Sequence, residues 1–146
     1  MCYLFKKSRM KSFAGYKIVL VDNQTGRVYS PATGVEYKAG PVPRPRRVRD
    51  YRRSPYFLDV LDISGYVYNR DMFGKTAVFV HKRNAVDMAR KMSVPASMGM
   101  RVEVVRMKLG VDLWYGAYGK DEVVLGEEIL SIEPLRRKKK EDRDEC

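Results

Sequence analysis

The chain has few of the residues that build disulfide frameworks, metal centres and histidine-based catalysis. Its two cysteines, Cys2 and Cys146, stand at opposite ends of the 146 residues. This placement predicts no disulfide framework and favours an intracellular protein, in the cytoplasm or in a nucleoid or nucleus. His81 is the single histidine, so a paired-histidine metal site is excluded and we expect no metal.

Motifs for a particular reaction and long apolar segments are missing as well. The sequence contains no nucleophile elbow and no glycine-rich phosphate loop, so no motif names a reaction. No run of about 18 apolar residues occurs, and the first residues do not have the pattern of a signal peptide. We therefore expect no membrane span.

Positive charge is what the chain has in excess. Lys and Arg number 29 against 18 Asp and Glu, which gives a formal net charge of +11. A surplus of this size favours a polyanionic partner, either nucleic acid or an acidic protein surface. The length fits one domain, which buries about two thirds of the surface that the unfolded chain exposes.

Residues 43–53 concentrate this charge. They contain six arginines, two prolines and Tyr51, with one acidic residue. Each proline removes a backbone donor and favours extended geometry in the residue before it, so we predict an exposed loop over residues 41–55. Tyr51 is expected to stack on a base, and the loop arginines are expected to bind phosphates. These anion-binding candidates are Arg44, Arg46, Arg47, Arg49, Arg52 and Arg53.

The pattern of apolar residues predicts an α+β fold in which strands outnumber helices. Asn84 is the predicted N-cap of a helix with an apolar side at Ala85 and Ala89, and residues 56–62 are predicted as a short helix. We expect one compact domain of mixed or antiparallel sheets with one or two short helices over residues 15–135. A basic arm is expected at 1–14 and a charged tail at 136–146. The predicted strands are residues 16–21, 27–30, 35–38, 76–80, 101–107, 122–125 and 129–132.

A second group of aromatic residues lies in a glycine-rich stretch. Trp114 and Tyr115 fall within residues 110–120, which we interpret as a loop. Such a loop provides rings that stack on a nucleobase. The alternative is a loop that folds over the edge of the core.

Two segments resemble the ADP-ribosyltransferase fold of the poly(ADP-ribose) polymerases. The run Asp-Met-Phe-Gly-Lys at residues 71–75 leads into a strand and an alanine-bearing helix, and residues 121–135 are similar to the family's closing glutamate strand. The resemblance implies that Glu122 orients the nicotinamide ribose of NAD. Val78 stands where the family has a tyrosine that stacks on nicotinamide.

The resemblance also suggests counterparts for two other family positions. Tyr16 and Lys17 lie where the family places a histidine or arginine that grips NAD, and Ser30 is similar to the serine of the arginine-specific branch. Because these positions depart from the family pattern, the resemblance implies a scaffold without transferase chemistry or with a ligand other than NAD.

Three functions follow from these patterns. The first is a binding protein, not an enzyme, that engages nucleic acid through the arginine loop and needs no cofactor. The second is an ADP-ribosyltransferase-like domain with a degenerate NAD site at Glu122. The third is a protein interaction or inhibitor module that docks on an acidic face. The sequence does not indicate an oligomeric state.

Overall fold

The computed structural model describes residues 4–31, 36–42, 75–94, 96–118 and 121–135. These residues form a strand-rich α+β domain with one α-helix. The helix is α1 (Lys82–Arg90), and a short 3-10 turn follows it at Ala96–Met98. The strands are β1 (Leu4–Lys7), β2 (Ser12–Asp22), β3 (Val28–Tyr29), β4 (Glu36–Tyr37), β5 (Gly40–Pro41), β6 (Thr76–Phe79), β7 (Met100–Gly110), β8 (Trp114–Tyr118), β9 (Asp121–Gly126) and β10 (Glu128–Pro134).

All strand pairs in the described part of the chain are antiparallel. The order across the sheet is β1-β8-β9-β6-β2-β7-β10-β5, and β3 and β4 extend from β2 as a short ribbon. The long pair β2–β7 runs from Ser12 opposite Gly110 to Asp22 opposite Met100. The α+β prediction and the strand-rich, antiparallel alternative are therefore confirmed. Within the described residues, no helix is long and apolar enough to cross a membrane.

The sheet consists of two halves that meet at one point. β6 belongs to one half because it pairs with β9 over four residues, whereas β2 belongs to the other half because it pairs with β7 along its whole length. The ladder between β2 and β6 is a single pair, Tyr16 opposite Phe79. We call this pair the joint. The backbone ladder does not continue on either side of this pair.

A hydrophobic core covers each face of the sheet. On the first face, Val19, Val78, Met107 and Val124 are buried. On the second face, α1 packs its buried Ala85 and neighbouring apolar side chains against Ile18, Phe79 and Val123. Successive residues of a strand point to opposite faces, so position in the strand assigns each functional side chain to one of these faces.

Turn chemistry explains the first hairpin. The Asp22 carboxylate accepts hydrogen bonds from the backbone N–H groups of Gln24 and Thr25 at 2.8 and 3.0 Å, and Gly26 adopts φ of 74°. The backbone N–H of Thr25, followed by that of Gln24, lowers the pKa of Asp22. The predicted strands at residues 16–21 and 27–30 are thus confirmed as a hairpin, in which β3 covers Val28–Tyr29.

Three local predictions differ from the structure. The helix begins at Lys82 with His81 as N-cap, and Asn84 lies inside its first turn, because the extended backbone ends at His81. The loop predicted for residues 110–120 is wrong over its centre, where β8 forms. The segment expected as a basic arm contributes β1, whose pairing with β8 runs from Leu4 opposite Ala117 to Lys7 opposite Trp114.

An ion-pair cluster holds the β7–β8 turn. Asp112 lies 3.5 Å from the Lys7 ammonium and 3.7 Å from that of Lys75, which also lies 3.5 Å from Glu127. The Lys75 side chain is only 10% exposed. The nearby Trp114 indole, although its buried N–H makes no regular hydrogen bond to a described residue, followed by Lys75 and Lys7, keeps the pKa of Asp112 below its ordinary value.

This cluster predicts an acid-sensitive contribution to stability from Asp112. Because the pKa of Asp112 in the folded protein is lower than the unfolded value of 3.8, its ionised carboxylate stabilises the fold above pH 3.8. This contribution is lost as the pH falls through the folded pKa. Replacing Asp112 by asparagine, which tolerates its positive φ of 51°, should make urea-unfolding free energies fall less steeply below pH 4 than in the parent. Equal slopes for the two proteins would contradict the role given to Asp112.

Candidate functional site

Glu122 lies at the start of β9, between β8 and the end of β6. It stands opposite Ala117 on β8, and its carbonyl accepts a hydrogen bond of 3.0 Å from the backbone N–H of Val80. The Tyr115 hydroxyl donates to Oε2 of Glu122, and Nε2 of His81 lies 3.4 Å from Oε1. We call these three side chains, His81, Tyr115 and Glu122, the Glu122 cluster.

The electrostatics of the cluster favour an ionised carboxylate. The Tyr115 hydroxyl, followed by the His81 imidazole, lowers the pKa of Glu122. The hydrogen bond from the Tyr115 hydroxyl to Glu122 in turn raises the pKa of Tyr115. At neutral pH Glu122 is thus an acceptor and Tyr115 a protonated donor. Such a carboxylate orients hydroxyl groups and stabilises positive charge, but it is a poor general acid.

The cluster is open to a ligand. The side chains of Glu122 and His81 are 41% and 56% exposed, and Tyr115 is 42% exposed. Glu122 and Tyr115 share the first face of the sheet with Val124, which stands opposite Tyr115. The apolar floor beside the carboxylate is therefore continuous with a packed core, and solvent reaches the carboxylate from the other side.

Lys17 is the cation of β2 on the same face. Its ammonium donates a hydrogen bond of 2.7 Å to the carbonyl of Ala77 and lies 5.7 Å from the centre of the Tyr37 ring. Lys17 and Glu122 lie two strands apart in the order β9-β6-β2. Tyr16 faces the opposite side of the sheet.

A buried polar pocket lies next to Lys17. The Tyr37 hydroxyl is 3.4 Å from Oγ1 of Thr76, and Tyr37, Thr76 and Ser30 are all buried. Burial raises the pKa of Tyr37, but Lys17, followed by hydrogen bonds with Ser30 and Thr76, outweighs it and brings the pKa below the ordinary value. Lys17 and Ser30, both suggested by the family resemblance, thus meet at one tyrosine that sequence reasoning did not select.

A groove of about 490 Å³ opens further along the first face, between the β3–β4 ribbon and strands β7 and β10. Its floor includes Val105 and Ile132. Its rim carries an Arg101–Glu103 hydrogen bond of 2.7 Å, so its charges are largely matched within the molecule. The groove therefore offers apolar surface, and the arginine of this rim pair is already bound to an acid.

The predicted stacking residues do not form one surface. Trp114 and Tyr115 are neighbours on β8, so they point to opposite faces: Trp114 packs with the α1 core, and Tyr115 binds Glu122. Tyr51 and the six candidate arginines, Arg44, Arg46, Arg47, Arg49, Arg52 and Arg53, lie outside the described residues, as does the predicted helix at 56–62.

The sequence alone did not identify the two hydrogen-bond partners of Glu122. His81 is 41 positions away and Tyr115 is 7 positions away. Only the pairing of β9 with both β6 and β8 brings them together. Within the described residues, no group of three or more His, Cys, Asp or Glu side chains has a metal-binding arrangement.

Comparison with protein-family models, curated proteins and solved structures gives no match for the chain. Its function must therefore be inferred from its own side chains.

Proposed function

We propose that this protein is a nucleotide-binding domain of the ADP-ribosyltransferase type, in which Glu122 accepts hydrogen bonds from the hydroxyls of a ribose. The observation that carries the proposal is the Glu122 cluster: an exposed, ionised carboxylate at the start of a strand, held by a hydroxyl and an imidazole. Ribose hydroxyls are donors that suit such an acceptor.

The arrangement of strands supports this choice. β6 and the glutamate strand β9 are neighbours, with Phe79 opposite Val123, and α1 with its buried Ala85 follows β6 directly. These are the segments that carry the family resemblance, and in this chain they converge on Glu122. The family run at residues 71–74 lies outside the described residues.

Lys17 provides a second anchor for the same ligand. It lies on the face of Glu122, two strands away. A nucleoside diphosphate sugar bound along this face would place a hydroxyl on Glu122 and a phosphate toward the lysine. The Lys17 ammonium is already bonded to Ala77, so the ligand shares a cation that the fold has oriented.

The departures from the family pattern argue for binding without transfer. Val78 is completely buried in the first core, so it offers no ring to stack on nicotinamide. The lowered pKa of Glu122 also makes it a weak base. We therefore propose recognition of ADP-ribose or NAD and do not propose a turnover reaction.

The test is a calorimetric titration of the full chain with ADP-ribose and with NAD. We expect saturable binding of at least one ligand and about tenfold weaker binding by Glu122→Gln, because a charge-assisted hydrogen bond is replaced by a neutral one. The matched control is Glu128→Gln at the start of β10, which should bind like the parent. Failure of the parent to bind either ligand, or equal losses in the two variants, would exclude the proposal.

A further inference from the structure

The second face of the sheet carries a basic patch next to α1. Tyr16 stands opposite Arg106, and Ala14 opposite Lys108, so these side chains share one face on adjacent strands. The helix covers this face over Val102 and Val104, which pack in its core together with the half-buried Tyr16, but it leaves Arg106 and Lys108 exposed. We call Tyr16, Arg106 and Lys108 the open sheet patch.

The patch combines an aromatic ring with cations. The guanidinium carbon of Arg106 lies 5.8 Å from the centre of the Tyr16 ring. Within the described part of the chain, neither Arg106 nor Lys108 has a carboxylate within 4.0 Å. Glu133 stands opposite Arg106 on β10, so the strands here present two cations against one acid.

Further positive charge lies at the edge of the patch. Phe79 pairs with Tyr16 at the joint, and α1 begins three residues later with the exposed Lys82 and Arg83. The protein as a whole carries a net charge of +11. The patch therefore combines exposed positive charge with an aromatic side chain on one described surface.

We propose that the open sheet patch binds single-stranded nucleic acid, with phosphates on Arg106 and Lys108 and a base stacked beside Tyr16. A strand surface with one ring and adjacent cations suits unpaired bases, whose faces are accessible. A duplex hides those faces within its stacked base pairs, so we expect the patch to prefer single strands. This function goes beyond ribose binding at Glu122, because the patch occupies the other face.

The experiment measures fluorescence anisotropy of a labelled 20-nucleotide oligo(dT) or oligo(U) with the full chain at several salt concentrations. The double variant Arg106→Gln with Lys108→Gln should bind about tenfold more weakly and lose about 1.4 from the log–log salt slope, about 0.7 for each phosphate. The control double variant Lys6→Gln with Lys38→Gln makes the same change in net charge at exposed sites on other strands or loops. It should lose much less affinity.

A third variant separates stacking from charge. Tyr16→Leu, checked for folding by circular dichroism, should weaken binding about tenfold with the salt slope unchanged, since stacking on an aromatic ring does not release counterions.

The remaining outcomes overturn the proposal. Equal losses in the two double variants would show that net charge alone acts. If the Arg106→Gln, Lys108→Gln double variant bound the oligonucleotide as tightly as the parent, the binding site would lie elsewhere on the chain. Preference for duplex, or indifference of the parent to both oligonucleotides, would also exclude this surface as a single-strand site.

Discussion

Replacing Gly15 by alanine should destabilise the protein by about 3 kcal/mol, at the upper end of the usual cost of overpacking. A Cβ at this position would lie 2.5 Å from Cγ2 of Val78 and 2.6 Å from the carbonyl oxygen of Phe79. The second atom belongs to backbone that β9 holds through four ladder pairs, so it cannot move away without disturbing β6. The close approach of β2 and β6 at the joint therefore requires glycine at position 15.

Urea unfolding measures this effect, and Gly26→Ala is the matched control. Gly26 has no atom within 4 Å of an added Cβ, and its positive φ of 74° should cost alanine only about 1 kcal/mol. The difference between the two variants isolates the steric term at the joint. If Gly15→Ala were no more destabilising than Gly26→Ala, β2 and β6 would not approach each other as closely as described.

Replacing Lys17 by methionine should cost about 2 kcal/mol, because it leaves a carbonyl in the interior without its donor. The Lys17 ammonium bonds the carbonyl of Ala77 at 2.7 Å, two residues from the joint, where the ladder between β2 and β6 has ended. The side chain thus replaces a backbone hydrogen bond that the separated strands do not make. Methionine keeps much of the apolar stem and removes the donor.

The same variant should raise the pKa of Tyr37. Lys17 is the largest of the influences that lower this pKa, and without it the effect of burial, which raises the pKa, is less opposed. Spectroscopic titration of the tyrosines should show one phenol that shifts upward in Lys17→Met, while the exposed control Lys38→Met should titrate like the parent. If Lys17→Met changed neither the tyrosine titration nor the stability, the contacts of Lys17 with Tyr37 and Ala77 would be refuted.

Local patterns were enough to predict most of the sheet. The β-branched run in β2, the apolar residues of β6 and the alternation in β7 each indicate a strand by themselves. β8 escaped prediction because Gly116 interrupts it and because the turn before it is built from Val111 and Asp112. Both have positive φ, at 59° and 51°, where an Asn-Gly pair is the usual signal.

The candidate sites were only partly predictable, because they depend on which strands are neighbours. Glu122 was selected from the resemblance, but its contacts with Tyr115 and His81 need the order β8-β9-β6. Arg106 and Lys108 alternate with buried residues, which is typical of any half-exposed strand. Their meeting with Tyr16 becomes visible only in the register of β2 with β7.

The joint has a consequence for how such a domain can diversify. Since one ladder pair connects the two half-sheets, the angle between them is set by a few side chains rather than by a continuous set of backbone bonds. Both hydrophobic cores contain side chains from each half, so substitutions near positions 15–17 and 78–80 would change how the halves meet and would also change the packing that they share. The angle between the half-sheets and the stability of the domain are therefore coupled in this architecture.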